Sequence, residues 1–305
     1  MRFGVALPNY GPLATPETLG RLAHQADALG VDSIWVSDHL VAPVGVASIY
    51  PYDRRPDAKP GDMGVIERFY EPLITLAFLA GQTRRVRLGV SAYVLPYRNP
   101  VLTAKLVATL DSLSGGRLVL AIGTGWLEEE FAALAVPFAG RGARTDEYLA
   151  VCKMLWAGGE ARFAGRHYQL PPVRTGPPPA QQPHPPLWIA GNSPAAIERA
   201  ARSGDGWHAI DLAPDELASL VERLRERVAA QERPPGAVTV SLRKGVLVGA
   251  AGGRPLYGDR DAIRRDLDAY RAAGLDYLVA NLRQAKSPDD LSRALADVAD
   301  ALDAG

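Results

Sequence analysis

The sequence predicts an α/β fold of the (β/α)8, or TIM barrel, type, in which helices surround a closed ring of eight parallel strands. Three observations predict it. Apolar strand-like runs alternate with helix-like runs from end to end, the strand-like runs number eight, and a chain of 305 residues suits one large barrel. An open doubly wound sheet fits this count less well, so we expect residues 1–305 to form a single domain.

The strand predictions rest on short apolar runs. In chain order these are Arg2–Leu7, Ser33–Val36, Arg87–Ser91, Arg117–Ile122, Leu187–Ala190, Trp207–Ile210, Val238–Val248 and Tyr277–Ala280. The helix predictions rest on amphipathic spacing and on start and stop signals, such as Gly30 after the first helix. In chain order these are Thr15–Leu29, Glu71–Gln82, Pro100–Ser112, a broad helical region over Trp126–Trp156, Pro194–Ser203, Asp215–Gln231, Asp261–Ala273 and Pro288–Leu302.

Two long segments interrupt the alternation. Residues 40–70 are rich in proline, glycine, tyrosine and charge, and residues 162–186 are rich in proline. The same alternating pattern flanks each segment, so we interpret both as elaborated loops of one domain. Long loops in compact folds are commonly functional, and we expect the first loop to cover the ligand pocket.

Composition limits the class of function. Lysine and arginine total 34, which equals the number of acidic residues, and the chain lacks the long basic stretch expected of a nucleic-acid-binding protein. The single cysteine, Cys152, excludes an internal disulfide and a thiol cluster for zinc. Without a signal-like start or a membrane-spanning apolar run, we expect a cytoplasmic protein with no membrane partner. Its predicted ligand is a small molecule.

The pair Asp38-His39 directly follows the second predicted strand. In (β/α)8 barrels the active site lies at the carboxyl ends of the strands. Histidine exchanges protons near neutral pH. We therefore predict that both residues are catalytic. The alternative is a loop histidine that Asp38 merely holds by a hydrogen bond.

Small residues stand at the ends of two other strands. Ser91 and Ala92 lie where the third strand ends, and Gly123-Thr124-Gly125 follow the fourth strand. Short or absent side chains at these positions would let a planar ligand lie against the backbone. Ordinary packing at a strand kink is the alternative for the first pair. The second segment is not a dinucleotide fingerprint, because Glu128 stands at the third glycine position and the segment is not in the first βα turn.

Gly191, Asn192 and Ser193 follow the fifth strand and precede Pro194. Serine is a preferred N-cap residue and proline is preferred in the first helical turn, so a helix begins here. The free amides and the dipole of a helix start bind anions. An ordinary helix cap without a ligand is the alternative.

Other polar residues give weaker signals. His208 could face the barrel interior, while Arg144 and Arg283 are candidates for binding anionic groups or for surface ion pairs. The acidic run Glu128–Glu130 is interpreted as a solvated helix start. We predict no metal site, because no histidine pair has ligand spacing with carboxylates on one face, and no nucleophile motif occurs.

Several of these segments together resemble the luciferase-like monooxygenase superfamily, and more closely its branch of oxidoreductases that use coenzyme F420, a deazaflavin. The resemblance spans nearly the whole chain. Its carriers, in order, are Gly4–Asn9, Ser37–His39, Leu88–Pro100, Leu110–Arg117, Ala190–Pro194 and Gly204–Trp207. It implies a (β/α)8 barrel with an elaborated region before the fifth strand, a homodimer, and a flavin-like ring in the barrel mouth.

The resemblance also implies roles for individual residues. A cis peptide bond at Ser91-Ala92 would support the ring, with Tyr93 next to it, while Gly123, Thr124 and Gly125 would lie against the cofactor. Gly191, Asn192 and Ser193 would hold a phosphate. His39 would orient the substrate or exchange a proton beside the carbon that receives hydride, and Asp38 would fix the tautomer of His39.

The leading functional hypothesis is hydride transfer between F420 and a small organic substrate. F420-dependent sugar-phosphate dehydrogenases carry a glutamate after the Gly-Thr-Gly segment, whereas this chain has Trp126. The tryptophan favours an unsaturated or cyclic substrate instead. The first alternative is an FMN-dependent monooxygenase that a flavin reductase supplies with reduced flavin. The second is a non-catalytic flavin-binding protein on the same fold.

Overall fold

The computed structural model describes residues 1–55, 57–61, 67–249, 254–282 and 285–303. Eight parallel strands close into a barrel in the order β9-β11-β1-β2-β3-β4-β7-β8, and β8 pairs with β9 to complete the ring. The predicted (β/α)8 fold is therefore confirmed. The barrel strands are β1 (Arg2–Ala6), β2 (Ser33–Val36), β3 (Arg87–Val94), β4 (Leu118–Gly123), β7 (Leu187–Ala190), β8 (Gly206–Ile210), β9 (Thr239–Val248) and β11 (Tyr277–Leu282).

Helices on the outside of the barrel connect most of these strands. They are α1 (Pro16–Ala28), α2 (Pro72–Ala80), α3 (Pro100–Ser114), α4 (Glu128–Ala133), α5 (Arg141–Trp156), α6 (Pro194–Ser203), α7 (Pro214–Ala230), α8 (Arg260–Ala272) and α9 (Pro288–Asp303). Seven of the eight predicted helices match single helices closely. The broad helical region over Trp126–Trp156 is instead two helices, because Gly140 adopts a left-handed conformation with φ of 72° between them.

The region before the fifth barrel strand is elaborated, as predicted. It contains α4, α5 and an antiparallel hairpin of β5 (Ala161–Ala164) and β6 (Gln169–Val173). The sequence predicted only an irregular loop here. The hairpin turn forms because the Glu147 carboxylate of α5 accepts hydrogen bonds from the backbone amides of Arg166, His167 and Tyr168 at 2.7 to 2.9 Å, a contact between segments distant in the chain. A short strand, β10 (Tyr257–Gly258), pairs with the end of β9.

Apolar side chains pack in two layers. A large outer cluster lies between the strands and helices, and a smaller inner cluster inside the barrel includes Trp35, Trp188 and Tyr277. Trp35 stacks on Trp188 with ring centroids 5.3 Å apart. The filled interior leaves the carboxyl ends of the strands as the face that carries polar side chains. Within the described ranges, every helix is too short or too polar to cross a bilayer.

Candidate active site

The predicted site residues lie at the carboxyl end of the barrel. All eight strands are parallel, so residues at their carboxyl ends share this end of the barrel. These residues are Asp38 and His39 after β2, Ser91 and Ala92 in β3, Gly123 at the end of β4 and the turn after β7. Their tertiary contacts show that some of these side chains face the barrel mouth, whereas others bond to neighbouring segments and hold the mouth in place.

His39 is held by Glu130 of α4. Its Nδ1 lies 2.6 Å from Oε2 of Glu130, and its side chain remains 19% exposed. Glu130 is fully buried and also accepts hydrogen bonds from the Leu40 amide at 2.6 Å and the Tyr97 hydroxyl at 2.9 Å. A carboxylate only accepts hydrogen bonds, so Nδ1 of His39 carries the proton. Nε2 is then the atom left for a ligand.

Glu130 is ionised at neutral pH. Burial alone would raise its pKa, but the hydrogen bond and charge of His39, with the Leu40 amide and the Tyr97 hydroxyl, bring the pKa below its usual value. Burial and the Glu130 charge raise the pKa of Tyr97, so that hydroxyl stays protonated and donates.

The prediction that Glu128–Glu130 is a solvated helix start is therefore wrong for Glu130. A signal was available: Leu127, Glu130, Phe131 and Leu134 have helical spacing, which places the acid on the apolar face.

Asp38 does not hold His39, which corrects the prediction. Its carboxylate pairs with the Arg98 guanidinium through two contacts of 2.8 Å and accepts the Val94 amide at 2.8 Å. Arg98 also binds Glu71 at 3.0 Å. Consecutive side chains of an extended segment point in opposite directions, so Asp38 and His39 contact different neighbours. Burial would lower the pKa of Arg98, but the Asp38 charge raises it overall, so the guanidinium stays protonated.

Ser91 belongs to a buried polar chain inside the barrel. Its Oγ lies 2.8 Å from Nε2 of His208, whose Nδ1 lies 2.9 Å from Oγ of Ser241. Burial and the nearby charge of Arg243 lower the pKa of His208 to about 3, so the ring is neutral. His208 thus faces the barrel interior and fixes Ser91 at the floor of the mouth.

Arg243 crosses the barrel from β9, and no pattern in the sequence singled it out. Its guanidinium donates to the backbone carbonyl and the Oγ (3.2 Å) of Ser91, to Oγ of Ser37 at 3.0 Å and to Oδ1 of Asn281 at 2.9 Å. These contacts join four strand ends and place a positive charge at the floor of the mouth.

Small residues form a flat surface beside this floor. The peptide bond between Ser91 and Ala92 is cis. A Cβ atom added to Gly123 would lie 3.1 Å from Cβ of Ala92, so a larger side chain at either position would fill the space. Thr124 and Gly125 are partly exposed next to it. Small side chains therefore line this part of the strand ends.

Tyr93 does not belong to this surface, which corrects its assignment to the cofactor site. Its side chain is fully buried, and its hydroxyl lies 3.2 Å from Oγ1 of Thr103 in α3. A register shift between Ser91 and Tyr93 in the β3–β4 pairing turns the tyrosine toward the helices.

The turn after β7 has the geometry of a helix start. Ser193 caps α6 and accepts a hydrogen bond from the Ala196 amide at 3.2 Å, and Pro194 follows, as predicted. The side chain of Asn192 is committed to the Ile210 backbone at 2.7 and 2.9 Å and so braces the turn. Gly191 has φ of 122°, a conformation that side chains other than glycine rarely adopt.

Tyr52 from the first long loop lies on this turn. A Cβ atom at Gly191 would lie 3.0 Å from the Tyr52 hydroxyl. Burial raises the pKa of Tyr52 to about 12, in spite of a hydrogen bond from the Asn192 amide. The anion position predicted from the sequence is therefore next to a hydroxyl group of the chain itself.

The first long loop covers the mouth, as expected. The Glu129 carboxylate accepts hydrogen bonds from the backbone amides of Ala47 and Ser48 at 2.6 and 3.0 Å. Arg54 forms an ion pair with Glu216 of α7. The loop therefore spans the barrel end from β2 to α7. Residues 56 and 62–66 of the predicted segment lie outside the described residues.

Of the two remaining arginine candidates, Arg144 does not add to the site. Arg144 is buried and donates to the Pro137 carbonyl at 2.7 Å, and Arg283 lies outside the described residues. In the described ranges, no group of three or more histidine, cysteine or acidic residues is arranged to hold a metal ion.

Several known proteins are similar to this chain in sequence or in fold. A family model described as luciferase-like monooxygenase matches residues 1–299. An uncharacterized protein of Mycobacterium tuberculosis is 35% identical over 204 residues, which cover 67% of this chain and 69% of the relative. The phthiodiolone/phenolphthiodiolone dimycocerosates ketoreductase of Mycobacterium kansasii is 30% identical over 267 residues, which cover 83% and 68%.

Two solved structures share the fold. Monooxygenase RslO1 from Streptomyces bottropensis superposes with a TM-score of 0.83 at 23% identity, covering 99% of this chain and 98% of that one. An F420-dependent secondary alcohol dehydrogenase superposes with a TM-score of 0.77 at 17% identity, with coverage of 99% and 98%. At these identities the likeness concerns the fold alone.

Proposed function

Because the chain belongs to the luciferase-like monooxygenase family, we propose that it is an oxidoreductase that transfers a hydride between coenzyme F420 and a small organic substrate. The observation that carries the proposal is the His39–Glu130 pair, in which a buried, ionised carboxylate holds a partly exposed imidazole at the barrel mouth.

The pair supplies the proton that such a reaction needs. Reduction of a ketone adds a hydride to carbon and a proton to oxygen, and oxidation of an alcohol removes both. Glu130 keeps Nδ1 protonated, so Nε2 of His39 accepts a proton from an alcohol or, once charged, donates it to a carbonyl oxygen. The fixed carboxylate holds the ring in one orientation.

The small residues would hold the cofactor. Ala92 and Gly123 offer the flat surface for its ring, Arg243 offers positive charge at the floor, and Gly191 with the Ser193 turn offers backbone amides to a phosphate. When bound, the deazaflavin supplies the hydride chemistry, while the protein orients the reactants and excludes water. The loop over residues 40–55 contributes to that exclusion.

Two facts favour hydride transfer over oxygenation. The family relative from M. kansasii is named a ketoreductase, and a proton-transfer pair matches alcohol and ketone chemistry. The proposal is tested by titrating the purified protein with F420 and FMN, each in its oxidised and reduced form. We expect F420 to bind. Binding of FMN alone would contradict the cofactor assignment.

An FMN-dependent monooxygenase is the second candidate, favoured by the family description. It would require a flavin reductase as the supplier of reduced FMN. Incubation with reduced FMN and labelled oxygen distinguishes the two reactions, because only the monooxygenase incorporates the label into its product.

A non-catalytic flavin-binding protein is the third possibility. His39→Ala separates it from the enzymes. We expect this variant to bind cofactor normally and to lose turnover, whereas unchanged turnover would remove His39 from the mechanism.

We also propose that the protein forms a homodimer through α2 and α3. The α2 sequence PLITLAFLA carries no charge, although Ile74 is 65% exposed and Phe78 is 45% exposed. Leu102 and Leu113 on the adjacent α3 are 53% and 79% exposed. Exposed apolar side chains on two helices that contact each other are typical of an interaction site, and a second copy of the chain would cover them with the same surface.

A further inference from the structure

Six aromatic rings form a continuous row across the barrel mouth. Successive ring centroids lie 5.1, 5.4, 6.2, 5.2 and 5.4 Å apart, and each contact is stacked or edge-on. The row comes from three separate parts of the chain: the segment after β1, the β2 end with its long loop, and the segment after β4. In spatial order its members are Tyr10, Phe69, His39, Trp126, Tyr50 and Tyr52.

None of the six rings in this aromatic row is buried. By contrast, the aromatic rings of the barrel interior, such as Trp35 and Tyr277, are completely enclosed. A line of partly exposed rings around the mouth of a barrel is not required for packing, and concave aromatic surfaces with a few polar groups are typical of ligand sites.

The charges next to the aromatic row disfavour an anionic ligand. Among the described residues, two acidic groups bond to the row or to its loop without a basic partner from that loop: Glu130, which holds His39, and Glu129, which accepts a hydrogen bond from the Ser48 hydroxyl at 2.8 Å. Both add negative charge to this side of the mouth. The loop residue Arg54 is paired with Glu216. The positive guanidinium of Arg98 is turned away from the row and is paired with Asp38 and Glu71.

We infer that the substrate is an uncharged, planar, unsaturated or aromatic ketone, or the corresponding alcohol, and that Trp126 and Phe69 select it. Both rings contact the His39 ring edge-on, at 6.2 and 5.4 Å between centroids. A flat substrate at the imidazole would contact these rings as well, and aromatic contacts of this kind favour aromatic over aliphatic or charged molecules. This inference rests on the proposed function.

The reaction balances with the groups named. In the reducing direction the carbonyl carbon would gain the hydride that a bound reduced deazaflavin supplies, the C=O π bond would break, and the carbonyl oxygen would gain the proton that Nε2 of His39 carries when the imidazole holds two protons. The ketone is reduced to an alcohol and the deazaflavin is oxidised. His39 afterwards regains a proton from solvent, to which it is 19% exposed.

The test measures binding of 1-tetralone, a flat uncharged aromatic ketone, and of glucose 6-phosphate by isothermal titration calorimetry. The proteins are wild type, Trp126→Ala, Phe69→Ala and, as a control, Leu29→Ala, which removes an exposed apolar side chain far from the mouth. Circular dichroism verifies that each variant is folded. We expect wild type and Leu29→Ala to bind 1-tetralone equally, and each ring variant to bind it about 5- to 10-fold more weakly.

Two results would overturn the substrate class: preferential binding of glucose 6-phosphate, or 1-tetralone binding that is unchanged in both ring variants. Turnover of 1-tetralone with F420 is assayed separately. Ring-dependent binding of 1-tetralone without turnover would contradict the proposed function and leave the recognition surface supported, so the two failures are distinguishable.

Discussion

Nδ1 of His39 lies 2.6 Å from Oε2 of Glu130, although 91 residues separate them in the chain. The contact joins the end of β2 to α4 and turns a loop histidine into a group with a defined donor and a defined free nitrogen. Predictions about activity depend first on this pair.

Replacing Glu130 with glutamine removes the charge that holds the imidazole and keeps the shape of the side chain. We expect kcat to fall about 10- to 100-fold while the Kd for the cofactor stays within about 2-fold, because the carboxylate acts on His39 and not on the cofactor. Steady-state kinetics and fluorescence titration measure the two quantities. Glu128→Gln, an exposed residue of the same helix, is the matched control and should retain full activity.

The pairing of Arg98 with Asp38 predicts a large effect on stability. The Arg98 side chain is 10% exposed and that of Asp38 is fully buried, so Arg98→Met leaves an unpaired buried carboxylate. We expect the free energy of unfolding to fall by about 3 to 5 kcal/mol. Arg271→Met, which removes a largely exposed pair with Asp268, should cost at most about 1 kcal/mol. Urea denaturation of both variants provides the comparison, and equal losses would contradict the prediction.

Gly191 supports a prediction about cofactor affinity. With φ of 122° and the Tyr52 hydroxyl 3.0 Å from an added Cβ, Gly191→Ala must distort the turn proposed to bind phosphate. We expect the cofactor Kd to rise at least about 10-fold, which corresponds to about 1.4 kcal/mol. Gly236→Ala is the control, because Gly236 also has a positive φ of 80° but no atom within 4 Å of an added Cβ. Loss of affinity in both variants would indicate a general effect of strain.

His208 makes stability depend on pH in a defined direction. Its pKa is about 3 in the folded protein and about 6.5 in an unfolded chain. Between these values the unfolded state binds a proton that the folded state does not, so stability falls as pH decreases through this window, by up to about 1.4 kcal/mol per pH unit. Denaturant unfolding at several pH values should show that the free energy of unfolding depends less steeply on pH in His208→Gln than in wild type. An equally steep dependence in both proteins would contradict the lowered pKa of His208.

The exposed face of α2 predicts the effect of one charge on assembly. Phe78→Lys places a lysine in the proposed dimer interface, so we expect light scattering after size-exclusion chromatography to detect a dimer for wild type and a monomer for the variant. Leu29→Lys is the control, because Leu29 lies outside that face and is 44% exposed, close to the 45% of Phe78. This variant should remain dimeric. A monomeric wild type would refute the proposal.

Local patterns were sufficient for the fold. Short apolar strands such as Ser33–Val36 alternate with capped helices, and parallel strands connected by helices close in few ways, so the barrel followed from the order of its elements. The cap at Ser193 was predictable for the same reason, because its hydrogen bond joins residues three positions apart. The hairpin over Ala161–Val173 was missed because its turn is built on Glu147 of a different element.

The sequence by itself determined the barrel, the end of the barrel that carries the site, and the family to which the chain belongs. Only the tertiary structure decided which acid serves His39. Asp38 is its neighbour in the chain, yet strand geometry points the two side chains apart, and Glu130 reaches the imidazole from a distant helix. The aromatic row was likewise undetectable in the sequence, since its six rings become adjacent only when separate loops converge over the barrel mouth.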